Sequence, residues 1–210
     1  MKIAIIGAGN VGGTLGKAWA AKGHDVVFGV RDPREAKVQE LLRATAGKAR
    51  AASVREAAAA AELVLLATPW GAAQDALRAA GDLKGKILVD ATNPLKPDFS
   101  GLALGHTTSA GEEVARWAPG ARVVKAFNTI GAHHMTDPRI AGQRPSMFVC
   151  GDDPAAKQTV AGLAEALGFE PVDSGPLTQA RLLEPLAMLW ISLAYAHGLG
   201  TNIGFRLLRG

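Results

Sequence analysis

The sequence predicts an α/β protein, a doubly wound and mostly parallel sheet with a small C-terminal helical domain. Three observations carry this. Short apolar runs of strand length alternate with segments of helical length through most of the chain. The first run turns through a glycine loop directly into a helix. Near the end the alternation stops, and an almost unbroken apolar stretch takes over.

The first element is Met1-Lys2-Ile3-Ala4-Ile5-Ile6, read as a buried parallel strand. It runs into Gly7-Ala8-Gly9-Asn10-Val11-Gly12, and residues 13–20 continue as a helix. Strand, tight glycine turn and helix N-terminus together form the G-x-G-x-x-G dinucleotide fingerprint. Gly7 allows the turn, Gly9 leaves the backbone bare where a pyrophosphate approaches, and Gly12 lets the helix lie close to the strand. Phosphates are then expected on free amides at the positive end of the helix dipole. This is the signature of a Rossmann domain.

A second strand over 26–30 ends at Val30-Arg31-Asp32-Pro33-Arg34. At this distance from the loop an NAD site places a carboxylate on the ribose, whereas an NADP site has an arginine for the 2′-phosphate. Arg31 comes first and its planar fork suits phosphate, with Arg34 or Lys37 as a second charge. Asp32, followed by Pro33, reads as starting the turn and capping the next helix. That helix is expected over 34–46, then a short edge strand over 49–52. Ser53-Val54-Arg55-Glu56 has capping-box spacing at the head of an alanine-rich helix.

An apolar strand over 62–67 ends at Thr68-Pro69-Trp70, placed to line the ribose and nicotinamide half of the cofactor; Trp70 is equally readable as a helix-start aromatic. After a helix over 71–80, a strand over 85–91 ends at Thr92-Asn93-Pro94. Asn93 is a candidate partner for the nicotinamide carboxamide or ribose, against a plain Asn-Pro turn. Residues 96–108 read as a loop flanking the site, followed by a helix over 109–117. A strand from Arg122 ends at Phe127-Asn128-Thr129. His133-His134 lacks partners at metal-ligand spacing, so no metal site is assigned. A strand over 145–150, a helix over 155–167 and a strand over 169–173 follow, with Cys150 read as a small buried residue. The domain division is placed at 1–150 and 151–210.

Residues 182–199 are almost wholly apolar, but Glu184, Pro185 and His197 cut the run below the roughly 20 residues a membrane span needs. A buried helix is expected there, serving as a dimer contact and a roof over the cofactor. The glycine-rich end beyond it is read as part of a substrate wall.

At 210 residues and 48% hydrophobic, the chain can bury a substantial core. The net charge of +4 is scattered, which argues against nucleic acid. The first residues already form a core strand, so no signal peptide is expected. The single cysteine fits a reducing cytoplasm.

Taken together, these motifs resemble the NADP reductases dependent on the deazaflavin coenzyme F420, and they are also similar to the cytosolic reductase domain of transmembrane ferric reductases. The stretches that carry the likeness are Gly7 to Gly12, Gly29 to Pro33, Thr68 to Trp70, Asp90 to Pro94, Lys125 to Thr129, Val149 to Asp153 and Asp173 to Leu177. The resemblance implies NADP on Ala8 to Val11, Arg31 at the 2′-phosphate, and Thr68, Pro69 and Trp70 near the nicotinamide. It also implies a C-terminal helical domain completing a second-substrate pocket. Position 30 departs, being Val where such enzymes often carry Ser or Thr.

The expected activity is hydride transfer between NADP(H) and a flavin-like acceptor, coenzyme F420 first. Rival readings are a reductase of free flavin or of a small carbonyl compound, and a non-catalytic NADP(H)-sensing module. Stacked rings need proximity rather than acid–base chemistry, so no catalytic residue is assigned; His133 is a candidate proton donor. A small-molecule acceptor and a homodimer are expected, with neither nucleic acid nor membrane as partner.

Overall fold

A computed structural model describes all 210 residues. In chain order its strands are β1 (Lys2–Ile6), β2 (Asp25–Val30), β3 (Ala49–Ser53), β4 (Leu63–Leu66), β5 (Ile87–Asp90), β6 (Arg122–Lys125), β7 (Ser146–Gly151) and β8 (Glu170–Asp173). The helices are α1 (Asn10–Ala21), α2 (Ala36–Arg43), α3 (Val54–Ala60), α4 (Trp70–Ala80), α5 (Ala110–Trp117), α6 (Pro154–Leu167) and α7 (Ala180–Ile191). All strands join one sheet in the order β3-β2-β1-β4-β5-β6-β7-β8. Every pair is parallel except β6 with β7.

The strands read as continuous apolar runs because both faces are covered. Successive side chains point to opposite faces, so Ile3 and Ile5 join a core with Leu15 and Trp19 of α1, while Ala4 and Ile6 join Ala57 of α3 and Leu77 of α4. The register keeps the strand ends level: Ile6 lies beside Gly29 and Leu66, Leu66 beside Asp90, and Asp90 beside Lys125. The segments that leave β1, β2, β4, β5 and β6 therefore emerge along one edge, with the order reversing between β1 and β4.

Several expectations change in detail. The helix after β2 is shorter than 34–46, and its N-terminal flank is Glu35. Asp32 accepts from the Arg34 amide, so it forms the turn but does not cap the helix. The division at 150 falls inside β7, which pairs with both β6 and β8. The sheet thus runs on to Asp173, and only the segment after it stands apart. There α7 ends in a π-helical turn over Ser192–Ala196, followed by an extended tail.

The expected burial of α7 is partly inverted. Its acidic residue, Glu184, is buried, while Leu182 and Leu189 are exposed. The reason lies beneath the helix, where a buried lysine and two helix amides need a carboxylate.

Candidate functional site

The glycine loop leaves β1 with Gly7 at φ +108°, a conformation that side chains disfavour. Gly12 is required by space: a Cβ there would lie 1.9 Å from the Gly7 carbonyl oxygen. Gly9 is exposed, and a Cβ built on it would have no neighbour within 4 Å, so a ligand can approach the backbone. The first backbone bond of α1 runs from the Gly13 amide to the Gly9 carbonyl at 2.8 Å, leaving the Asn10, Val11 and Gly12 amides without a protein acceptor. No side chain caps this terminus and no acidic residue stands in its first turn. These residues fit the diphosphate of a dinucleotide: three free donors at a positive helix end, with nothing anionic in competition.

Beside the loop, a cavity of about 1150 Å³ opens at the carboxyl edge of the sheet. Its floor is Asn10, Val11 and Thr14 of α1 together with Ala91, Asn93, Phe127 and Asn128 from the ends of β5 and β6. Phe99 and Ser100 flank it from the loop after β5, and residues 130–133 close another side. Its roof is Ala187, Met188, Trp190 and Ile191 of α7, continued by Tyr195. No Lys, Arg, Asp or Glu lines it.

The two asparagines interlock. Asn93 Nδ2 donates to the Asn128 carbonyl at 3.0 Å, and Asn128 Nδ2 donates to Asn93 Oδ1 at 3.0 Å and to the Leu183 carbonyl at 3.2 Å. Neither amide rotates without losing a bond, so the β5 and β6 ends and α7 are tied together. Phe127 precedes Asn128 and stands at φ +63°, which is strained for an aromatic residue. Its ring is held edge-on by Trp19, with centroids 5.7 Å apart, and by Phe169.

Gly7, Ala8 and Pro94 form the backbone around the cavity rather than its lining, and Thr68 and Pro69 end β4 on the same edge. Thr68 Oγ1 is buried without a partner. The Trp70 side chain does not line the cavity and matches the other reading, a helix-start aromatic. It heads α4 and stacks on Trp117 of α5, centroids 5.1 Å apart, because the first turn of α4 presents it to the helix layer. Val30 and Arg31 sit at the end of β2. Arg31 is exposed and makes no ion pair, while Arg34 lies 3.6 Å from Asp32 and is almost fully exposed.

A polar cluster that the sequence reading passed over lies under the roof. Lys125, fully buried, donates to Asp90 Oδ2 at 2.8 Å, Glu184 Oε1 at 2.9 Å and the Thr92 carbonyl at 2.6 Å. Glu184 also accepts from the Ala110 and Gly111 amides at 2.9 and 3.0 Å, at the head of α5. Asp90 Oδ1 takes the Thr92 amide and hydroxyl at 2.9 and 2.7 Å. Burial alone would lower the Lys125 ammonium, but the Asp90 and Glu184 charges outweigh it and hold its pKa above the ordinary value. The signal was available: each of these charges interrupts an otherwise apolar run.

Nearby, burial pushes the Cys150 thiol up to about 12, so it is an inert, protonated side chain. Burial, and then the neighbouring His133, lower His134 below the usual histidine value. No three His, Cys, Asp or Glu side chains are placed to hold a metal, and no helix is long and apolar enough to cross a membrane.

Known proteins with the same build are found along the whole chain. Residues 2–94 match the family described as NADP oxidoreductase, coenzyme F420-dependent. The F420-dependent NADP reductase of Methanothermobacter marburgensis is 33% identical over 99% of this chain and 98% of its own. The rat metalloreductase STEAP3 is 34% identical over 90% of this chain, which spans only 37% of that relative's length. The crystal structure of a candidate F420-dependent NADP reductase from Arthrobacter sp. FB24 is 41% identical and superposes with a TM-score of 0.92 over 100% of both chains.

Proposed function

Because the chain belongs to the family of coenzyme F420-dependent NADP oxidoreductases, we propose that it passes a hydride between NADP(H) and a flat, flavin-like acceptor, the deazaflavin coenzyme F420 first among them. Membership makes it an NADP-dependent oxidoreductase. The observation that carries the acceptor class is the uncharged cavity beside the free amides of α1. A keto acid or other small anionic substrate would find no Lys or Arg in it, whereas an aromatic ring finds Phe127, Trp190 and Tyr195.

When bound, the nicotinamide supplies or takes the hydride. The chain's own residues bind and orient. The amides of Asn10, Val11 and Gly12 anchor the diphosphate, and Arg31 faces solvent at the β2 end, where the 2′-phosphate is expected. Gly7, Ala8 and Gly9 shape the loop, with Val30 and Arg34 flanking the adenosine side. Thr68, Pro69, Asn93, Pro94 and Asn128 carry the nicotinamide half at the ends of β4, β5 and β6. The α7 roof covers the cavity and would hold an acceptor there against the nicotinamide, so rate would come from proximity and orientation. A homodimer through the exposed apolar side of α7, where Leu182 and Leu189 stand open, belongs to the same proposal.

Loss of NADPH absorbance in the presence of coenzyme F420, FMN, FAD or a simple ketone tests the acceptor. F420 is expected to be fastest, and turnover with ketones alone would overturn the reading. FMN or FAD as the better acceptor would favour free flavin, the second reading, which the likeness to the metalloreductase supports. Arg31→Ala is expected to weaken NADPH roughly tenfold and NADH little, as loss of a charge-assisted bond to phosphate requires. Equal losses for both would remove Arg31 from the phosphate.

A further inference from the structure

We propose that the extended tail over residues 201–207 is a positioning strap, whose carbonyls fix the two rings, Trp190 and His133, that wall one end of the cavity. The tail lines no part of the cavity itself. It runs behind the wall and is fastened to the start of β7. The Ser146 amide donates to the Phe205 carbonyl at 2.9 Å, the Leu207 amide donates to Ser146 Oγ at 3.0 Å, and Arg206 Nη1 donates to Gln143 Oε1 at 2.6 Å. From this anchored position Ile203 offers its carbonyl to Trp190 Nε1 at 2.8 Å, and Thr201 offers its own to His133 Nε2 at 3.1 Å. A carbonyl only accepts, so Nε2 is the nitrogen of His133 that carries hydrogen.

Gly131 closes the clamp from the other side. Its backbone, at φ −65°, suits any residue, so the reason for glycine is space. A Cβ there would stand 2.6 Å from His133 Cε1 and 3.0 Å from Trp190 Cη2. Both rings therefore rest on a bare Cα and are held from behind by tail carbonyls. Trp190 is buried, with Tyr195 edge-on at 6.3 Å. Without Ile203 its indole N–H would be a buried donor with no acceptor, and the ring would leave its present rotamer. Trp190 belongs to the α7 roof and His133 to the side closed by residues 130–133, and both line the same cavity as Asn10 and Val11. On the reading given above, on which this proposal rests, the Trp190 ring meets the acceptor, while the amides of Asn10, Val11 and Gly12 meet the cofactor. The strap thus sets the fit of the acceptor and leaves the dinucleotide untouched.

The test uses full-length Trp190→Phe, which keeps a ring but loses the donor, and full-length Gly204→Val. Even a Cβ at Gly204 would lie 2.9 Å from Ile140 Cδ1 and 3.4 Å from Pro145 Cβ, so a branched side chain lifts the tail. With coenzyme F420 or FMN, whichever the wild type reduces, KM for the acceptor is expected to rise about three- to tenfold in both variants. KM for NADPH should stay within about twofold. The Trp190 indole N–H, protected from hydrogen exchange in the wild type, should exchange faster in Gly204→Val. Parallel rises in both KM values would overturn the proposal, as would unchanged protection in Gly204→Val. If the wild type reduces no acceptor, the functional reading fails, and hydrogen exchange alone then decides the strap.

Discussion

The glycine loop and the α7 roof face each other across one cavity, yet they are built in opposite ways. The loop is made from neighbours in sequence: β1, Gly7 to Gly12 and α1 run without interruption from Lys2 to Ala21. Its function rests on amides that have no partner and on side chains that are missing. The roof is seated by residues scattered along the chain, Asp90, Lys125 and Glu184, which join the head of α5 in one buried, bonded cluster beneath it. The lesson is that a binding surface needs unsatisfied donors, while the element that covers it needs every polar group satisfied before a ligand arrives.

Removing one charge from the cluster under the roof should have the largest effect. Lys125→Met leaves Asp90 and Glu184 buried without their cation and is expected to cost about 3–5 kcal/mol, read from urea denaturation. A loss below about 1 kcal/mol would mean the cluster is not the key that seats α7.

Next comes the loop. Gly12→Ala forces a methyl against the Gly7 carbonyl, with an expected loss of about 1–3 kcal/mol and of NADPH binding together. Stability falling with binding intact would show that the loop relaxes and that the close approach is dispensable.

Alkaline pH sharpens the contrast, because Cys150 and Lys125, both under the roof, hold their protons more tightly than usual. The unfolded Cys150 thiol gives up its proton near 9.0, whereas the folded one holds it to about 12. The folded state therefore binds the extra proton, and stability is intact below pH 9 and falls as pH climbs toward 12. Lys125, whose folded value is also raised, adds a loss that starts above 10.5. Cys150→Ala should remove the earlier part of this decline in denaturation midpoints measured across pH 8–11. An unchanged curve would place the titrating group elsewhere.

The smallest effect is expected at the surface pair of Arg50 with Asp25, about half exposed on both sides. Arg50→Ala should cost at most about 1 kcal/mol. A loss approaching that of Lys125→Met would undo the claim that burial, and not pairing alone, gives the roof its strength.

Sequence by itself determined what is local. Strand and helix periodicity, the capping box in which Ser53 and Glu56 bond reciprocally, and the glycine loop are set by backbone sterics and by hydrogen bonds between near neighbours. The order β3-β2-β1-β4-β5-β6-β7-β8 came only with the structure, because pairing joins strands far apart in the chain. Only the tertiary structure decided which charges are buried together, where Trp70 points, and that the tail braces Trp190 from behind instead of lining a substrate wall. Those outcomes depend on contacts between residues far apart in the chain, such as Lys125 with Glu184. No local pattern encodes such a pair, because a charge in an apolar run looks like a flaw until its partner arrives from another element.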